Sequence, residues 1–141
     1  MVKAACMLLL VEVGLHRVSY QSLVGWIGKQ TPIPEDGRCP GSGKDAAALI
    51  DEAQRVQTLV GIAANHGLYK ANCLRKSITT WWALRKMGLD SAICFGAKKE
   101  GGELAAHAWV ELHGVPLGER PEMLSTYTAF ESSLIDPRKN I

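Results

Sequence analysis

Up to Gly88, apolar residues recur at helical steps of three and four; from Ser91 the period shortens to two. The first element, Val2 to His16, is apolar on most of its circumference, which predicts a helix central in the core. Ser19 suits the N-cap of a second, shorter helix through Trp26 and Ile27, ending near Gly28. Thr31 to Lys44 holds three prolines and three glycines and reads as a loop. Asp45 to Asn65 predicts a long helix, with Ala48, Leu49, Ala53, Val56, Leu59, Val60 and Ala63 forming its apolar stripe. His66 and Gly67 end it, glycine serving as the left-handed C-cap.

Asn72 is a good N-cap for the next helix, which opens on Cys73 and turns Leu74, Ile78, Trp81 or Trp82, and Leu84 inward. Arg85 and Lys86 in its last turn suit the helix dipole, and Gly88 closes it. Ser91 to Ala97 then reads as a strand, Lys98 to Glu103 as a turn, and Leu104 to Leu112 as a second strand. His113-Gly114 predicts a tight hairpin turn into Val115-Pro116-Leu117, a third strand that Pro116 confines to a sheet edge. Tyr127 to Phe130 is the tail segment expected to pack back on the sheet. The fold class is therefore α+β, a helical N-terminal half packed on a small antiparallel sheet. Residues 1–141 read as a single domain without repeats or linkers.

Composition narrows the chemistry. A net charge of +2 argues for neither nucleic acid nor an anionic membrane as partner. The four cysteines, Cys6, Cys39, Cys73 and Cys94, include no C-x-x-C pair, which argues against a zinc site. A domain of this size also has core enough to dispense with a disulfide framework, so the expected compartment is the cytoplasm. The apolar run Ala4 to Val11, interrupted by Glu12, is far too short to span a bilayer. Gly14-Leu15-His16-Arg17 offers no convincing signal-peptide cleavage site, and a buried first helix is the better reading. No cofactor and no metal are expected.

Three residues stand in the order of a cysteine-nucleophile triad: Cys73 at a helix start, His107 on a strand and Glu119 on the next, returning strand. A helix N-terminus lowers a thiol's pKa and its free amides suit an oxyanion. Alternation along the strand puts His107, Trp109 and Glu111 on one face, with small alanines flanking the histidine. Pairing around His113-Gly114 sets residue 120 opposite His107, so a bulge between Pro116 and Gly118 is needed to deliver Glu119. Glu111 is the rival orienter, but it sits four residues along the same strand, roughly 13 Å away, and is expected to be solvated. Cys6, Cys39 and Cys94 read as core or loop residues, and His16, His66 and His113 as surface, cap and turn residues. Two other classes fit the same residues: a transglutaminase or acyltransferase, and a non-catalytic peptide-binding module in which Cys73 is merely buried.

The segments CLRKSITTWWALRKMG, AICFG, AHAWVE and GVPL together resemble the transglutaminase-like leader peptidases of bacterial lasso peptide biosynthesis. The resemblance covers about residues 60 to 130; the helical part before it, with Arg17, is similar in length and flavour only. It implies a papain/transglutaminase-like core and a cysteine protease that removes the leader from a ribosomally made precursor peptide. In such a protein Cys73, His107 and Glu119 are nucleophile, base and orienting acid, although the family more often has aspartate at the third position. A chain of this length lacks the leader-binding domain of the fused forms, which implies a separate leader-binding protein as partner and an ATP-using cyclase acting afterwards. The resemblance also implies a preference for threonine at the next-to-last leader position.

Overall fold

The structure, a computed structural model, describes residues 2–33, 45–66 and 72–129. Four helices come first: α1 (Val2–Arg17), α2 (Tyr20–Gln30), α3 (Ala46–His66) and α4 (Cys73–Lys86). They are followed by β1 (Ser91–Glu100), β2 (Glu103–Leu112), β3 (Val115–Pro116), the short α5 (Pro121–Leu124) and β4 (Thr128–Ala129). The expected α+β architecture is the observed one, with a four-stranded antiparallel sheet in the order β3-β2-β1-β4. Among the described residues, no helix is long and apolar enough to cross a membrane.

Both expected caps form. The Ser19 side chain accepts from the Ser22 amide at 3.3 Å, and Asn72 Oδ1 accepts from the Arg75 amide at 3.1 Å. The second helix continues through Gly28 to Gln30, where Thr31 closes it. The Gly67 C-cap, Cys39 and Phe130 lie outside the described residues.

One layer of the core joins α4 to the sheet. Ile78, Trp81 and Leu84 of α4 cluster with Ile93 of β1 and Val110 and Leu112 of β2, all nearly excluded from solvent. Trp81 is the buried member of the tryptophan pair, and its indole Nε1 donates to the Ser91 carbonyl at 3.1 Å. Trp82 is half-buried.

The first helix corrects an expectation. It is not central: only Leu8 and Val11 are buried, while Leu9, Leu10 and Val13 are more than half exposed. The physical reason is that α1 packs along one side, against α3 and α4, with Leu8 meeting Val60, Ala63 and Ala64. Likewise Ala48 and Leu59 of the expected α3 stripe are exposed, whereas Leu49, Ala53, Val60 and Ala63 are buried. In the first hairpin the strands run further than the apolar alternation suggests. Lys98 to Glu100 belong to β1, and the turn is only Gly101-Gly102, both at positive φ (59° and 90°). A two-residue turn of that hand matches the twist of the strands it joins and extends the ladder through polar residues.

Candidate active site

The hairpin that carries the histidine and the acid is set by its turn. His113 and Gly114 have φ of 51° and 77°, the left-handed pair of a type I′ turn, and His113 is the one described non-glycine residue at positive φ. Strand β3 pairs Val115 with Leu112 and Pro116 with Glu111, the register expected around this turn. The Leu117 amide adds a bond of 2.9 Å to the Val110 carbonyl. There the ladder ends: Gly118 takes φ 71° and turns the chain out of register. This is the one-residue adjustment the sequence required. Glu119 Oε1 lies 2.9 Å from His107 Nε2, both side chains about three quarters buried.

That bond decides the use of the ring. An ionised carboxylate only accepts, so Nε2 carries the proton it donates and Nδ1 is left as the basic nitrogen. The ring is also held from its sides. Trp109 stacks on it with centroids 6.0 Å apart and an interplanar angle of 23°, and Tyr127 lies at 5.5 Å and 35°. Opposite His107 in the ladder is Gly96, where a Cβ would stand 3.0 Å from Tyr127 Cβ and 3.1 Å from Trp109 Cη2. The glycine is what allows both aromatic rings to close around the histidine.

Cys73 is the first residue of α4, half-buried and free. Asn72 satisfies the Arg75 and Lys76 amides through its side chain and carbonyl, leaving the Cys73 and Leu74 amides with no partner within the helix. Arg75, in the same first turn, pairs with Glu12, the charge that interrupts the apolar run of α1. Helix α4 packs on β2, the strand of His107. The structure therefore brings His107 and Glu119 into contact and brings the helix of Cys73 onto the strand of His107, but the thiol makes no hydrogen bond to the imidazole.

Glu111 corrects a second expectation. It is half-buried, not solvated, because it accepts from Trp109 Nε1 at 2.8 Å. It stands on the same face as Cys94, whose thiol is pushed up to about 12, first by burial and then by the charge of Glu111 and a hydrogen bond to it. At pH 8 the thiolate fraction of Cys94 should be about a thousandfold below that of an ordinary thiol. Mass mapping after iodoacetamide treatment should find exposed Cys6 modified long before Cys94; equal rates would contradict the assignment. The sign for stability follows. The folded chain keeps a proton that the unfolded chain releases near 9, so this contribution is intact below that pH and lost as pH rises toward 12.

Sequence reasoning placed Trp109 on the histidine's face without giving it a role, and missed Tyr127 as a neighbour of the ring. The period-two pattern of β2 carried the signal for the first. Nothing local carried it for the second, because Tyr127 arrives just before β4, which pairs with the far edge of β1.

A family model described as "Transglutaminase-like superfamily" matches residues 15–132. Neither a curated protein nor a solved structure matches the chain.

Proposed function

The chain belongs to the transglutaminase-like superfamily, and from that premise we propose that it is a cysteine peptidase that removes the leader from a ribosomally made lasso precursor peptide before macrolactam formation. The observation that carries the peptidase reading is the 2.9 Å bond between Glu119 and His107 on the strand against which the Cys73 helix packs. The choice of substrate rests on the resemblance of the CLRKSITTWWALRKMG, AHAWVE and GVPL segments to lasso leader peptidases.

In this mechanism His107 Nδ1 takes the thiol proton of Cys73, and the thiolate attacks the carbonyl at the leader–core junction. Hydrogen bonds between thiol and base are often loose before substrate binds and tighten in the complex. The Cys73 and Leu74 amides face the developing oxyanion. The C–N bond breaks as His107 protonates the departing core amine, leaving a leader thioester on Cys73. Water, deprotonated by His107, then hydrolyses the thioester, releases the leader carboxylate and restores the thiol. Glu119 holds the ring throughout and fixes its tautomer. A separate leader-binding protein presents the precursor, an ATP-dependent cyclase consumes the freed core, and the reaction proceeds in the cytoplasm without cofactor.

The test mixes the protein with a lasso precursor and the leader-binding protein that recognises that precursor, in water enriched in heavy oxygen. Mass spectrometry should find two peptides, with the heavy atom in the new leader carboxylate. A new amide on an added amine would instead assign an acyltransferase, and unchanged precursor would favour the peptide-binding module.

A further inference from the structure

The segment that carries Glu119 lies on an open edge of the sheet, and one side chain from the helical layer closes that edge. In an antiparallel ladder, alternate residues turn their backbone groups toward and away from the partner strand. Val115 and Leu117 face β2, as the Leu117–Val110 bond shows, so the carbonyl of Pro116 and the amide of Gly118 face outward. Those two groups form the acceptor and donor that a further strand would meet. In its place stands the carboxamide of Gln54, from α3. Its Nε2 donates to the Pro116 carbonyl at 3.2 Å and its Oε1 accepts from the Gly118 amide at 2.8 Å. A primary amide is the side-chain group that offers both functions on one planar unit.

The neighbouring turn of α3 reinforces the contact. Gln57 accepts from the fully buried Thr80 hydroxyl of α4 at 2.6 Å, and its Cγ lies 2.6 Å from where a Cβ on Gly118 would stand. The two glutamines thus tie the backbone immediately before Glu119 to α3, and through α3 to the helix that begins with Cys73.

We propose that Gln54 is a positioning residue for the Glu119–His107 pair, acting as a surrogate strand that fixes the Pro116–Gly118 backbone so that Glu119 meets the imidazole. This rests on the triad reading for its effect on activity but not for its effect on the pair itself. Without the clamp the chain is held to β2 only as far as the buried Leu117, and Glu119 beyond it is free to leave Nε2.

Two measurements test it, on the full chain, using Gln54→Met, which keeps the length and packing of the side chain but removes both hydrogen bonds. In protein labelled with nitrogen-15 at histidine, the low-field Nε2–H resonance of His107 should move upfield or broaden, as it should in Glu119→Gln. Alkylation of Cys73 by iodoacetamide should slow by about ten- to a hundredfold, the scale of a misplaced orienting group. The same substitution in a Glu119→Gln background should slow it little further. A resonance unchanged in Gln54→Met, or a cost that adds in full to that of Glu119→Gln, would overturn the proposal and leave Gln54 a packing residue. Should Gln54→Met fail to fold, Gln54→Glu keeps the acceptor for Gly118 and should give a smaller change of the same kind; a wild-type spectrum there, with Glu119→Gln shifted, would equally overturn it. If Cys73→Ala cleaved precursor normally the peptidase reading would fall, while the resonance would still decide the clamp.

Discussion

Cys73→Ala is expected to bring precursor cleavage to background, a loss on the order of a million-fold, as when the nucleophile of a triad is removed. The size follows from the absence of a substitute. Among the described residues the other thiols are Cys6, exposed on the outer helix α1, and Cys94, held protonated beside Glu111. Neither heads a helix, as Cys73 does. The check is a time course of precursor and leader-binding partner followed by mass spectrometry. Normal cleavage by the variant would place the nucleophile elsewhere and sink the mechanism.

His107→Ala should cost about a thousand- to ten-thousandfold in kcat, because both the base for the thiol and the acid for the leaving amine are lost. Glu119→Gln should cost far less, about ten- to a hundredfold. A glutamine oxygen can still accept from Nε2 and hold the tautomer, but it cannot stabilise the imidazolium that forms when the thiol is deprotonated. The stacked Trp109 and the tilted Tyr127 continue to hold the ring in that variant. Single-turnover rates measure the ordering directly. A Glu119→Gln rate equal to the wild type would move the orienting role to another group. One as low as His107→Ala would mean that catalysis needs the negative charge of Glu119 more than its hold on the ring.

How much of this was readable in the chain depends on the distance over which each residue is placed. Asn72 and Ser19 were legible as caps because a cap is decided within three residues. The face shared by His107, Trp109 and Glu111 followed from alternation, and the hairpin register from the His113-Gly114 pair. The final step to Glu119 was legible as a requirement, a shift of one residue, but not in its means, which is the left-handed Gly118. The environment of Glu111 was misread because its partner, the Trp109 indole, is itself polar only at its tip. Residues fixed by tertiary packing were the least legible: the tail around Tyr127 was expected on the sheet, but not beside His107. Gln54 is an ordinary polar residue of α3 until β3 lies beside it, and Tyr127 belongs to no periodic segment. The exposed side of α1 was illegible for the complementary reason, since apolar composition does not reveal how many neighbours a helix has.

The two halves of the site differ in how far along the chain their parts are separated. Base and acid are 12 residues apart and meet through one tight turn, whereas the Gln54 contacts to Pro116 and Gly118 close over 62 and 64 residues. Short hairpins close with little loss of chain entropy, and long loops are completed only when distant layers dock. The β2–β3 hairpin is therefore the part that can close early, and the Gln54 contacts proposed to hold Glu119 on His107 close late, with the docking of the helices. A partial opening of the helical layer would withdraw Gln54 and the Cys73 helix together while leaving the hairpin paired, so the proposed activity should fail before the sheet does as the protein is destabilised.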